Sequence, residues 1–297
     1  MTRPFSLRAA ALLLVACSAT RWLAAAPPAA AEAPAAAEAP AAAEAPAAAE
    51  ASAAAEASAA ADAPAVAAEE ARPVEEAPRP VEEARRTYLG RVVAAPMSYH
   101  GAAWLIRDER NREEATDRVL EALALREGMV VCDMGCGNGY YSLPMARRVA
   151  PTGRVLAVDI QPQMLRMLQA RAERAGLEVT EPILGEIDDP KLPVGELDLV
   201  LMVDVYHEFS HPESMLWSVR RSLKPTGVVA LLEYREEDPN VPIKPLHKMS
   251  KSQIMKEYEA NGFKLVRESN ELPWQHLMYF ARDDSPLKAI EPSVWRP

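Results

Sequence analysis

The chain has 297 residues, a formal net charge of −10, and 49% hydrophobic residues, a figure inflated by an alanine-rich first third. Residues 1–86 hold 12 acidic against 7 basic side chains and residues 87–297 hold 31 against 26, so each part carries −5. Neither part offers the basic face that meets phosphates, and no nucleic-acid partner is expected.

Residues 1–26 have the pattern of an export signal. Arg3 and Arg8 give a basic start, and Ala9 to Ala16 form an apolar run, shorter than the about 20 residues that span a bilayer. Leu14-Val15-Ala16-Cys17 resembles the lipobox of bacterial lipoproteins, which makes Cys17 a candidate lipidation site. Export, or a membrane tether through the N-terminus, is expected; an unprocessed leader on a cytoplasmic protein is the competing expectation. Cys132 and Cys136 make neither a disulfide framework nor a zinc ligand set, and both read as small packing residues.

Residues 27–86 are a low-complexity linker. Ala-Pro-Ala-Ala-Ala-Glu repeats drift to Ala-Ser-Ala-Ala-Ala-Glu, and Arg-Pro-Val-Glu-Glu-Ala starts at Arg72 and again at Arg79. Alanine favours helix but recurrent proline interrupts it, so the segment reads as a tether. Beyond the leader it has almost no large apolar side chains to bury. A chain beginning at Arg86 is therefore expected to keep its melting temperature within a few degrees. A large drop in thermal unfolding would show that the linker packs on the globular part.

Residues 87–284 have ordinary globular usage, and residues 285–297 form a C-terminal tail. An amphipathic helix is predicted over Arg112 to Leu125, with Ala115, Val119, Leu120 and Leu123 on one side. Met129 to Met134 is an apolar run too short for a helix, hence a first strand. After a glycine loop come a helix from about Tyr141 to Val149, a strand over Arg154 to Asp159, and a helix over Pro162 to Ala175. The third strand is predicted over Glu178 to Leu184. Leu197 to Val203 is the most apolar strand, and Pro212 to Leu223 a helix with proline in its first turn. A strand over Gly227 to Glu233, a helix over Ser250 to Asn261 closed by Gly262, and strands over Phe263 to Glu268 and His276 to Arg282 complete the set. Strands alternating with helices predict an α/β fold. Its parallel sheet is covered on both faces, and ligands bind beyond the carboxyl ends of the strands.

The chemistry concentrates in Asp133-Met134-Gly135-Cys136-Gly137-Asn138-Gly139, where a strand ends in an acid and three alternating glycines lead to a helix. The glycines allow a sharp turn and close approach to a ligand. A dinucleotide fingerprint would space them as Gly-x-Gly-x-x-Gly and face a pyrophosphate. Asp133 would repel a pyrophosphate but not a cationic ligand bearing an amino group. Asp159 ends the next strand, where an acid can accept both ribose hydroxyls of a nucleoside.

The Asp-x-Gly-x-Gly-x-Gly pattern resembles motif I of class I methyltransferases. Leu223-Lys224-Pro225-Thr226-Gly227 resembles the Leu-Lys-Pro-Gly-Gly turn of the same family, with Thr226 in place of one glycine. The resemblance covers about Trp104 to Arg282. Within it, Asp-Val-Tyr-His-Glu-Phe, Pro-Leu-His-Lys-Met and Leu-Pro-Trp-Gln-His resemble a bacterial, planctomycete-type subgroup of predicted methyltransferases. The family implies a Rossmann-like sheet of order 3-2-1-4-5-7-6 with the seventh strand antiparallel, S-adenosylmethionine as cofactor, and methyl transfer to an acceptor, here a small molecule. It places Asp133, Gly135, Gly137, Gly139, Asp159, Asp188 and Asp204 around the cofactor. Tyr206, His207, Glu233, Tyr234, His247, Trp274 and His276 are expected on the acceptor side, with His207 the candidate base. A cofactor-binding scaffold without catalysis is the alternative.

His207-Glu208-Phe209-Ser210-His211 also matches the zinc-protease pattern His-Glu-x-x-His. That chemistry needs both histidines one helical turn apart on a single face. Here Ser210-His211-Pro212 reads as a helix start, so the histidines fall in a loop. A zinc hydrolase is the weaker alternative, and no metal is expected.

Overall fold

The computed structural model describes residues 86–296. The expectations for the leader, Cys17 and the linker as far as residue 85 lie outside the described residues. A short hairpin, β1 (Thr87–Tyr88) and β2 (Arg91–Val92), comes first, followed by a 3-10 segment, Tyr99–Ile106. Then come α1 (Arg110–Glu114), α2 (Thr116–Ala122), β3 (Val130–Met134), α3 (Ser142–Val149), β4 (Arg154–Asp159), α4 (Pro162–Ala175) and β5 (Thr180–Leu184). The second half holds β6 (Leu197–Val203), α5 (Pro212–Ser222), β7 (Leu223–Arg235), β8 (Lys248–Met249), α6 (Lys251–Ala260), β9 (Phe263–Ser269) and β10 (Gln275–Arg282).

The sheet runs β5-β4-β3-β6-β7-β10-β9, with the short β8 beside the end of β7. Strands β5 to β7 of this order are parallel, and β10 is antiparallel to both neighbours. This is the expected Rossmann-like order. Alternate strand residues feed opposite faces, as a two-residue period requires. Val131, Val155, Leu199, Leu201, Ala230 and Leu232 pack with α2 and α3, whereas Cys132, Leu156, Val200, Met202, Val229 and Leu231 pack with α5 and α6. Cys132 and Cys136 are free and buried, as packing residues should be.

Two elements differ from the sequence expectation. The single helix over Arg112 to Leu125 is instead α1 and α2, broken at Ala115, which is left-handed at φ 53°. Asn111 Oδ1 accepts hydrogen bonds from Thr116 Oγ1 and the Asp117 N–H, so its side chain starts α2 afresh. The turn expected over Leu223 to Gly227 is drawn into β7, with a register shift opposite Leu197/Leu199. Gly227 is needed there because a Cβ would meet the Leu197 carbonyl oxygen at 2.5 Å. The tail is docked: Ile290 N–H donates to the Leu265 carbonyl, and Ser293 N–H to Glu268 Oε1.

Candidate cofactor and acceptor site

The glycine loop leaves the end of β3 with Gly135, Gly137 and Gly139 at φ +68°, +54° and +85°, the left-handed region that glycine enters without strain. A Cβ on Gly135 would stand 2.4 Å from Val205 Cγ2, and one on Gly137 would stand 2.6 Å from Leu105 Cδ1. The loop is thus packed between the end of β6 and the Tyr99–Ile106 segment. That segment is fixed by the Asn138 side-chain amide donating to the Ala102 carbonyl at 2.8 Å. Gln161 holds its start, accepting from Tyr99 N–H at 2.8 Å and donating to the Met97 carbonyl at 2.9 Å.

Asp133, at the end of β3, is buried and accepts a hydrogen bond from Ser142 Oγ at 2.5 Å. Burial raises its pKa to about 6, against the Ser142 hydrogen bond and the Arg110 guanidinium, which favour ionisation. Asp159, at the end of β4, accepts from Gly137 N–H at 2.9 Å and from Gln161 N–H at 2.8 Å. It ties the second strand to the glycine loop, and burial lifts its pKa despite these donors. Asp188 sits half-buried in the loop after β5, and Gly185 N–H of that loop donates to the Asp159 carbonyl.

Asp204 follows β6 in a left-handed conformation, φ 50°. Gln275 Nε2 donates to its Oδ2 at 2.7 Å, while its Oδ1 is buried without a partner, as is Tyr141 Oη. Burial, then the carboxylates of Glu114 and Glu233, push the Asp204 pKa well above the usual range, against the pull of Arg110. Arg110 pairs with Glu114 at 2.9 Å and lies over the Tyr140 ring. A cavity of about 30 Å³ lies among Leu105, Arg110, Asp133, Gly135, Tyr141 and Val203. It has room for about one water.

The acceptor-side expectations divide. Glu233, fully buried on β7, accepts from the His207 backbone N–H at 3.2 Å and from His207 Nδ1 at 2.6 Å. The His207 carbonyl accepts from Arg91 Nη1 and Ala94 N–H, which fixes the turn from both sides. Its Nε2 lies 3.0 Å from His247 Nδ1, the rings meeting edge-on at 88°. Burial disfavours the His207 cation, but the Glu233 carboxylate outweighs this and raises its pKa; His247 is lowered by burial and by His207. Tyr234 points to the other side of Glu233, its hydroxyl donating to Glu114 at 3.0 Å.

Tyr206 and His276 do not belong to this rim. Tyr206 starts a 3-10 turn that aims its ring into the core, against Phe209 and Tyr258, with its hydroxyl on Glu257 at 2.8 Å. His276 is fully buried and bonds Glu237 Oε2 at 2.8 Å. The expected meeting of three histidines is therefore a pair, His207 and His247. Trp274 is half-buried, and its carbonyl accepts from Arg235 N–H. His211 stands at the N-cap position of α5, its Nδ1 3.0 Å from Ser210 Oγ, whereas His207 lies in the 3-10 turn Tyr206–Glu208, so the two share no helical face and the zinc-hydrolase geometry is absent. Sequence reasoning missed Arg110, Glu114, Tyr141 and Gln161, and passed over Glu208 as part of a misleading motif. Gln161 had one available signal, its place two residues after Asp159, the acid expected at the ribose.

A Rossmann-like sheet, a glycine loop and acids ending its first two strands define a nucleoside-cofactor domain. Residues 125–283, more than half of the chain, match the model of the methyltransferase domain family, and the chain belongs to that family. It is similar to the nocamycin O-methyltransferase of Saccharothrix syringae, 33% identical over 114 residues, 38% of this chain and 41% of that protein. It is 31% identical over 150 residues to the ubiquinone/menaquinone biosynthesis C-methyltransferase of Cupriavidus taiwanensis, 50% of this chain and 54% of the relative. The chain thus spans about half or less of these relatives. In fold it is similar to an S-adenosylmethionine-dependent methyltransferase of Aquifex aeolicus, with a TM-score of 0.59 at 24% identity, covering 62% of this chain and 98% of that one.

S-adenosylmethionine is the cofactor. The residues fit it. The loop glycines leave no room for side chains, Asp159 ends the neighbouring strand, and the carboxylates of Asp133, Asp204 and Glu114 gather at this end with the guanidiniums of Arg110 and Arg107, both paired to Glu114. A cation bound here would favour ionisation of Asp133 and Asp204, which burial disfavours, and the unpartnered Asp204 Oδ1 and Tyr141 Oη are free to meet it.

Proposed function

We propose that the chain transfers the methyl group of S-adenosylmethionine to a small-molecule acceptor met by His207. The observation that carries this is the glycine loop set between Asp133 and Asp159 at adjacent strand ends. Asp159 takes the ribose hydroxyls and Asp188 the adenine side. Asp133 and Asp204 meet the amino group, and Arg110 offers a cation to the carboxylate. The cofactor, when bound, supplies an activated methyl on a sulfonium. The protein then has to align the acceptor and keep water out, which the Tyr99–Ile106 segment over the loop does.

His207 is the residue assigned to the acceptor. Glu233 holds Nδ1, which fixes the ring and directs the work to Nε2, the nitrogen that would draw the proton from an acceptor hydroxyl or amine. Small-molecule acceptors agree with the names of the two relatives. Anchoring through the leader and Cys17 is part of the same proposal, and membrane fractionation of Cys17→Ser against wild type tests it. The activity itself is tested by incubating the protein with methyl-labelled S-adenosylmethionine and fractions of a small-molecule extract. Label is expected to pass into an extractable product. Cofactor binding with no turnover on any fraction would instead establish the inactive scaffold.

A further inference from the structure

His207, Glu208 and His247 each offer one ligand atom, all within 4.8 Å of one another, in the one such group among the described residues. We propose that His207 Nε2, His247 Nδ1 and the Glu208 carboxylate form a binding site for one divalent metal ion of the zinc class. The geometry is close to what such an ion needs. Ligand atoms about 2.0–2.1 Å from a tetrahedral ion stand about 3.3 Å apart. The two histidine nitrogens are 3.0 Å apart, and Glu208 Oε1 is 3.9 Å from His207 Nε2. Shifts of about 0.3 and 0.6 Å bring these two pairs to ligand spacing, and the Glu208 and His247 ligand atoms already lie within 4.8 Å of each other.

The surroundings point the same way. A metal-bound histidine usually gives its other ring N–H to a carboxylate, which fixes the tautomer and leaves a lone pair on the ligating nitrogen. Glu233 does this for His207 Nδ1 at 2.6 Å and also accepts the backbone N–H of the same residue. Glu208 Oε1 is oriented by Met97 N–H at 3.1 Å, and its second lone pair remains for an ion. Two imidazoles and a carboxylate suit zinc, cobalt or nickel over magnesium or calcium. The His-Glu-x-x-His motif thus supplies two of the ligands, while the third comes from the turn Pro245–His247 and not from His211.

Three protein ligands leave a position open for water or an acceptor oxygen. Use of that position by the acceptor rests on the methyl-transfer reading; the site itself does not. An acceptor hydroxyl held there is acidified as metal-bound water is, its proton passing to solvent, and His207 then serves as ligand instead of base.

The test titrates full-length, chelator-stripped protein with Co²⁺, followed by visible absorption, and then displaces it with Zn²⁺. One equivalent with a tetrahedral-type spectrum is expected. His247→Ala and Glu208→Gln should weaken binding at least about tenfold, and Glu233→Gln by about 10–100-fold. His100→Ala, an exposed histidine outside the group, should bind as wild type does. Stripped wild type that takes up neither ion, or uptake unchanged in both His247→Ala and Glu208→Gln, would overturn the proposal. Calorimetry with S-adenosylmethionine on the same samples separates the two ideas. Cofactor binding without metal uptake removes the metal site alone, and one tight equivalent of metal without cofactor binding removes the methyl-transfer reading alone.

Discussion

Asp133→Asn is expected to weaken S-adenosylmethionine binding by about 10–100-fold while leaving the melting temperature of the free protein equal to wild type or higher. A charged hydrogen-bond partner contributes about 1.5–3 kcal/mol, which sets the binding loss. The stability has the opposite sign. The Asp133 pKa rises from an ordinary 3.8 to about 6 in the fold because burial penalises its charge. The stability it contributes is therefore present below pH about 4 and lost as pH rises through 6, about 3 kcal/mol in all. Binding of a cation favours the ionised form, so wild-type affinity should climb up to about tenfold per pH unit between pH 5 and about 6. In Asp133→Asn that climb should flatten. Gly135→Val should abolish binding outright, since its Cβ would stand 2.4 Å from Val205 Cγ2 at φ +68°. That variant also strains the free fold, which makes Asp133→Asn the cleaner measurement. Unchanged affinity in Asp133→Asn would remove the acid from the cofactor site.

His207→Ala is expected to slow methyl transfer by about 10²–10⁴-fold with cofactor affinity nearly unchanged. The glycine loop and Asp159 follow from β3 and β4, whereas His207 follows β6 and is held by Glu233 on β7. His276→Ala is the matched comparison. It too removes a fully buried histidine bonded to a carboxylate, in this case Glu237 and not Glu233. It should lower the melting temperature without a comparable loss of rate. Single-turnover rates and thermal unfolding on both variants separate chemistry from packing. Equal rate losses in the two would make His207 a structural residue.

The parts legible in the sequence are those whose physics is local. Three alternating glycines after an acid permit one kind of loop, and the apolar runs from Met129 and Leu197 are too short and too apolar to be anything but buried strands. Their order in the sheet comes from the family resemblance and is the order observed. Side-chain direction is less legible. Tyr206 and His207 are adjacent, yet the 3-10 turn sends one into the core and the other to Glu233. His276 is paired across strands with Glu233 but bonds Glu237 instead. The Tyr99–Ile106 segment has no helical period to announce it, and its place over the loop depends on distant partners, Asn138 and Gln161. Glu208 is hidden in the sequence because it stands with His211 in a motif that reads as a unit. The fold splits that unit and joins Glu208 to a histidine from another loop.

The most direct test of the central claim is isothermal calorimetry of the full-length protein with S-adenosylmethionine and, separately, with NADH. The glycine spacing and the acid before it favour a cationic nucleoside over a pyrophosphate. The account predicts saturable binding of S-adenosylmethionine at one equivalent, lost in Gly135→Val, and no heat of binding with NADH. Binding of NADH with none of S-adenosylmethionine would contradict it.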